Sequence, residues 1–239
     1  MTEKKRRNQK RRINNFLILI ILILIPLTAA AFLWNLHQIE NVKKGEGETL
    51  VDEEPEAAVN EYRNDQYVIG NNSTVVNKEY FKELNSALEA QDPSATAQAV
   101  VKCFITEYYT WTNKDGNYDI GGMQYIFAPK KADFETYTLW NFYEDMALYI
   151  KKYGRNKLIE VSGVQADTPV SCEFTVENEE GTQTYPAYEV HAAWTYDSST
   201  LMDTQNVQKE AVFTVAANQG RWEIAAITDA PASEGEEHD

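Results

Sequence analysis

The chain has 239 residues and a net charge of −15, with 43% hydrophobic and 12% aromatic residues. Residues 1–12 hold seven Lys/Arg and one Glu, a net of +6, so the remainder carries −21. So acidic a body excludes electrostatic binding to nucleic acid, because phosphate contacts need Lys and Arg.

The basic head at 1–12 reads as a cytoplasmic tail, a topology signal that also contacts anionic lipid headgroups. Behind it, "INNFLILIILILIPLTAAAFLW" at 13–34 carries no charge. Phe16 to Trp34 is 19 residues, enough helix to cross a hydrocarbon core of about 30 Å. The spacing predicts a single transmembrane helix over 13–36, with Pro26 tolerated and Trp34 at the interface. The positive-inside rule then sets the N-terminus in the cytoplasm and the C-terminal domain outside the cell membrane. The rival reading is a cleaved signal peptide with Ala29-Ala30-Ala31 as its site. The apolar run through Phe32-Leu33-Trp34 favours the anchor.

Residues 37–73 are charged, poor in aromatics and without sustained periodicity, which predicts a stalk. Asn71 and Asn72 both head N-x-[ST] sequons, of consequence only in a glycosylating host. The folded domain is expected over 74–229, followed by an acidic disordered tail at 230–239. Val76, Tyr80, Phe81, Leu84 and Leu88 form one helical stripe. A second helix starts with Asp92 as cap and Pro93 in the first turn. Ala97, Val100, Val101, Phe104, Ile105, Tyr108 and Trp111 recur along it at helical spacing. "NKDGN" at 113–117 breaks the pattern. Residues 131–153 read as one or two further helices, ended by Gly154.

From 157 the period changes to two. "KLIEVSGVQ", "SCEFTVEN", "QTYPAYEVHAAWTYD", "VQKEAVFTVAA" and "RWEIAAIT" are predicted strands of a meander. Helices followed by an antiparallel meander give α+β, with helices packed on a curved antiparallel sheet. In the last hairpin, pairing Ala217 with Trp222 sets Phe213, Val215 and Ala217 on one face with Trp222, Ile224 and Ala226. Val212, Thr214, Ala216, Arg221, Glu223, Ala225 and Ile227 take the other face. Gly220 supplies the positive φ of the turn. Trp222 is expected to close the end of the core, and its replacement by Ala to cost about 3–5 kcal/mol.

This hairpin, written Gly220-x-Trp222-x-Ile224 after a helical half and a bent meander, resembles the nuclear-transport-factor-two-like (cystatin-like) cone. The likeness covers about 92–228. The wider layout is similar to the VirB-eight-type component of type IV secretion and conjugation machines: a basic tail, one span, a stalk and a single external domain. That resemblance implies a non-enzymatic scaffold, binding itself as a homo-oligomer and other channel subunits, with no catalytic residues to carry over. The alternative is a membrane-tethered domain that binds a small ligand or cell-wall component.

Some members of the cone fold are enzymes, with an acid/base pair inside. The one histidine of the folded part, His191, shares a strand face with Glu189 and Ala193, away from Val190, Ala192 and Trp194, so it is expected to face solvent. Asp115 and Asp119 flank Gly116 in a loop without the further oxygen ligands of a calcium site, so a plain turn is expected. No catalytic, cofactor-binding or metal residues are therefore assigned, and no cofactor. Cys103 and Cys172 permit either a disulfide or, the favoured reading, two buried thiols. The rings of "EYYTW" and "YTLWNFYEDMALYI" suit core packing, a ligand cleft or a subunit interface.

Overall fold

The computed structural model describes residues 62–178 and 181–230, which all fall in one compact unit. The basic tail, the apolar span over 13–36, the first part of the stalk and the tail at 231–239 lie outside the described residues. Among the described residues no helix is long and apolar enough to cross a membrane.

Two long helices come first. α1, Val75–Glu89, starts where the Thr74 side chain accepts from the Asn77 N–H. α2, Pro93–Tyr108, starts at Asp92, whose carboxylate accepts from the Ala95 N–H at 3.0 Å, with Pro93 in the first turn. Both caps satisfy donors that a helix start leaves open. The predicted stripe of α2 is buried, and so are Thr96, Ala99, Cys103, Thr106 and Glu107 on its other sides. α2 is thus a central helix, enclosed nearly all round. Asn77 of α1 is buried against it, donating to the Thr106 hydroxyl at 2.7 Å. Residues 131–153 form two helices, α3 (Lys131–Leu139) and α4 (Met146–Tyr153), and the second ends at Gly154, whose φ of +81° suits glycine.

The sheet has five strands: β1 (Val161–Ala166), β2 (Val170–Asn178), β3 (Gly181–Tyr196), β4 (Glu210–Asn218) and β5 (Arg221–Thr228). The long β3 organises it. β1 pairs with its C-terminal half and β2 with its N-terminal half, both on one side, while β4 pairs along the other and carries β5. All pairs are antiparallel, and the sheet curls into a half-barrel against the helices. The α+β expectation therefore holds at the level of helices packed on a curved antiparallel sheet.

The last hairpin has the predicted register at its turn: Asn218 pairs with Arg221 and Ala217 with Trp222. Gln219 and Gly220 both have positive φ, +49° and +83°, the twist-matched two-residue turn. Farther along, a bulge inserts Ala225, so Ala226 meets Thr214 and Ile227 meets Phe213. The expected faces of Ala226 and Ile227 are therefore exchanged, because one extra residue shifts the period-two alternation by a step. Ile227 packs against the main core, while Ala225 joins a second cluster.

That second cluster covers the other face of the sheet. Phe127, Ala187, Ala216 and Ala225 are buried away from the main core, flanked by Cys172, Phe174, Val176 and Tyr185. Phe127 reaches the sheet through its N–H, which donates to the Ile224 carbonyl at 2.9 Å. Glu223, on the face opposite Ile224 as expected, is buried there and accepts from the Ala128 N–H and the Asn218 amide.

Residues 62–73, read as stalk, are part of the folded unit. Tyr67 is 1% exposed and stacks on Tyr125 at 5.5 Å. Its hydroxyl donates to the Trp222 carbonyl at 2.8 Å and accepts from the Trp222 N–H at 3.0 Å. Gln124 exchanges hydrogen bonds with both backbone groups of Val68. Tyr80 does for Val164 on β1 what Tyr67 does for β5, bonding its N–H at 2.9 Å and its carbonyl at 3.2 Å. The outer strands are thus closed in places by tyrosine hydroxyls, which occupy backbone groups that a further strand would use. Trp222 itself is half-buried, tilted against Tyr188 at 5.2 Å.

Candidate functional site

The last turn of α2 delivers Tyr108 and Tyr109 into the interior, where the helix stops. α3 crosses above them with only Thr138 buried, so it stands off the core and does not seal it. Between α3, the end of α2 and the last residues of β5 lies a cavity of about 840 Å³. Its wall is aromatic: Tyr108, Tyr109, Phe134, Tyr137 and Phe142. Its floor is Ile126, Ile224 and Ile227, and Asp133, Asn141, Gln208 and Asp229 stand around its rim. The size falls in the range of small-molecule sites, about 300–1,000 Å³.

The wall is fixed by ring packing. Tyr108 stacks on Phe142 at 5.3 Å and meets Tyr109 edge-on at 4.8 Å, and Tyr109 lies 4.5 Å from Trp194. These are favoured aromatic geometries. The two phenols are also held by hydrogen bonds, Tyr109 to the Gln208 side-chain oxygen at 2.6 Å and Tyr108 with the Thr138 hydroxyl at 3.1 Å. Burial pushes the Tyr108 hydroxyl up to about 12, against the Thr138 hydrogen bond that lowers it. Burial, then the neighbouring Tyr108, pushes Tyr109 well above the usual phenol range. At neutral pH both are uncharged, and they serve as surfaces for stacking and as neutral hydrogen-bonding groups. The two rim carboxylates, Asp133 and Asp229, are exposed. Lys130 also lines the cavity, but its ammonium lies over the Phe174 ring at 5.1 Å, toward the second cluster. The rim therefore presents negative charge above an aromatic interior, an arrangement suited to a cationic or neutral apolar group.

No family model, curated protein or solved structure matches the chain.

The histidine, carboxylates and cysteines singled out by sequence lie apart from this cavity. His191 is half-exposed on the sheet face opposite Val190, Ala192 and Trp194, and its Nδ1 is 2.9 Å from Asp167. Asp119 accepts from the Asp115 N–H at 2.9 Å, and Asp115 pairs with Arg155 at 2.6 Å, so both carboxylates serve the turn. Among the described residues no group of three His, Cys, Asp or Glu stands close enough to hold a metal ion. Cys103 and Cys172 are both free; the first is buried and the second is half-buried, so only Cys103 meets the expectation of a buried thiol. Burial, then the charge of Glu107, pushes the Cys103 thiol well up. The rings divide among three roles. Trp111 and Tyr143 are core, Tyr108, Tyr109, Phe134 and Phe142 line the cavity, and Trp140 is 72% exposed.

Sequence reading missed a buried charged pair, Glu107 and Lys114, beside a smaller pocket of about 180 Å³. Glu107 accepts from the Gly70 N–H at 3.2 Å, the Gly122 N–H at 3.1 Å and the Tyr125 hydroxyl at 3.4 Å. Burial raises its carboxyl; the Gly70 hydrogen bond and the Lys114 charge oppose that. Burial also lowers the Lys114 ammonium, against the charges of Glu107 and Asp119. The carboxylate fastens two loops onto α2, residues 62–70 and the 121–122 turn. Its one sequence signal is the Gly121-Gly122 pair. A Cβ on Gly121 would stand 2.0 Å from the Glu107 carbonyl oxygen, so only glycine allows the turn to approach the helix.

Proposed function

We propose that this is a non-enzymatic binding domain, tethered outside the membrane by the span over 13–36, whose cavity takes the apolar or aromatic part of a small ligand or cell-wall component. The observation that carries this reading is the aromatic cavity of about 840 Å³ with its acidic rim. The groups lining it can stack, hydrogen-bond and attract a cation, and the two buried phenols are too weakly acidic to act as bases at neutral pH. The resemblance to the nuclear-transport-factor-two-like cone accords with a pocket between helices and a curled sheet, and on that fold function resides in the pocket's own side chains.

The test uses tryptamine, a soluble cation with an aromatic ring, and the full chain in lipid nanodiscs. Saturation-transfer NMR should show binding above empty discs. Tyr137→Ala should weaken it about two- to tenfold, the worth of one aromatic contact; Tyr137 is 62% exposed, so folding is unaffected. Equal binding by the variant and by the unaltered chain would remove the cavity from the account.

A second reading makes the domain a scaffold subunit of a conjugative transfer channel, associating with itself and with other channel proteins. One observation favours it: Trp140 and Leu148 of the helical segment are 72% and 60% exposed, and exposed tryptophan is enriched at interfaces. The double change Trp140→Ser and Leu148→Ser should lower self-association of the full chain. An unchanged sedimentation profile would count against the scaffold.

A further inference from the structure

We infer that the occupant of the cavity is an extended peptide segment that adds as a strand to the open edge of β5, apolar in its middle and basic at its flanks. This rests on the reading of the cavity as a binding site and names its ligand class.

In an antiparallel pair, alternate residues turn both backbone groups toward the partner strand and the residues between turn them away. On β5 the outward residues are identified by their bonds. Trp222 turns outward and both its groups are taken by Tyr67, while the Ile224 carbonyl turns outward and is taken by the Phe127 N–H. The bulge at Ala225 places two residues opposite Thr214, after which Ile227 faces Phe213. Ile227 is then again an outward position. Among the described residues nothing bonds its N–H or carbonyl from outside the hairpin. Asp229, the first residue past the end of β5, has no such bond either. An edge of this kind is normally covered or blunted. Here it is closed at Trp222 and Ile224 and left open where it borders the cavity, since Ile227, Thr228 and Asp229 all line it.

An open edge beside an apolar pocket is the arrangement that extended peptides use: main-chain bonds to the edge and pockets for alternate side chains. The free stretch runs from Ile227 to the residue just past the end of β5 at Thr228, about 7 Å of extended chain, so the pairing takes roughly three to five residues of the peptide. Side chains pointing to the helix side meet Phe134, Tyr137 and Phe142. Charge selects the flanks. Asp133 and Asp229 are exposed at the rim, and Lys130 is turned to the Phe174 ring, so Lys or Arg beside the apolar residues is favoured.

The probe is the fluorescein-labelled heptapeptide Lys-Val-Thr-Phe-Thr-Val-Lys, read by anisotropy on the full chain in zwitterionic nanodiscs against empty discs. The parent peptide should bind, and tryptamine should compete. A version N-methylated at alternate residues keeps every side chain but cannot donate to the edge; it should bind at least about tenfold more weakly. Ile227→Pro removes the outward N–H and should weaken the parent similarly, with a circular dichroism spectrum equal to that of the unaltered chain showing that the variant is folded. Equal binding of the N-methylated and parent peptides overturns the proposal. So does a chain that binds tryptamine but not the peptide, although the cavity reading then survives; loss of tryptamine binding to the unaltered chain sinks the cavity itself. Dimers of the chain that Ile227→Pro dissociates would show that the edge pairs with a second copy, which also overturns the proposal.

Discussion

Replacing Tyr67 with Phe isolates one oxygen atom. The ring remains, with its stack on Tyr125 at 5.5 Å and the Arg221 guanidinium over it at 4.7 Å. The hydroxyl that both donates to the Trp222 carbonyl and accepts from the Trp222 N–H is lost. Each bond contributes about 1 kcal/mol net, and a backbone group left without a partner costs about 1–3 kcal/mol when water cannot replace it. Trp222 is half-buried, so water restores part of the loss. The expected destabilisation is about 2 kcal/mol. Urea unfolding should show a lower midpoint at unchanged slope, because the exposed surface does not change. Tyr80→Phe, which removes the matching pair of bonds at Val164 on β1, should behave alike. A loss below about 0.5 kcal/mol for Tyr67→Phe would refute the view that residues 62–73 are an integral part of the fold through this hydroxyl.

Trp222→Ala should cost about 2–3 kcal/mol, less than full burial implies, because the ring is half-exposed beside Tyr188; unfolding of the variant measures it. Gly121→Ala should destabilise by about 3 kcal/mol or more, since the new methyl meets backbone 2.0 Å away and cannot be relieved by a side-chain rotation; a silent variant would mean the turn sits farther from α2. For Glu107, burial raises the folded pKa above the usual 4.5. A raised folded pKa means stability that is present below the unfolded value and lost as pH rises through the folded one. The unaltered chain should therefore lose stability relative to Glu107→Gln as pH rises from about 4.5, and denaturant titrations at several pH values would show a flat difference if Glu107 were not perturbed.

What was legible in the sequence was mostly local. Asp92-Pro93 marks a helix start because a capping side chain and a pre-set φ act within a few residues. Gln219-Gly220 marks the last turn for the same kind of reason, and the register of Trp222 follows from it. The bulge at Ala225 was not legible, because an extra residue among small apolar side chains leaves the alternation readable in either of two registers. Tyr67 was hidden for a different reason. It is one ring in a charged segment, and its partner Trp222 is 155 residues away, so no local pattern announces the contact. Glu107 sits on an otherwise apolar helix and reads as a solvated charge unless the close glycine turn at 121–122 is known to cover it. The cavity was half legible. The density of rings on two segments pointed to it, but which rings pack and which line a space depends on how far α3 stands from β5.

The central claim, that the domain acts through its aromatic cavity, is tested most directly by following isoleucine methyl groups in the full chain during titration with tryptamine. Ile126, Ile224 and Ile227 line the cavity, whereas Ile105 and Ile159 are buried elsewhere in the core. The account predicts saturable shifts at the first three, with Ile105 and Ile159 unmoved. Saturable shifts at Ile105 or Ile159 with the cavity methyls still, or no saturable shift at any of them, would contradict it.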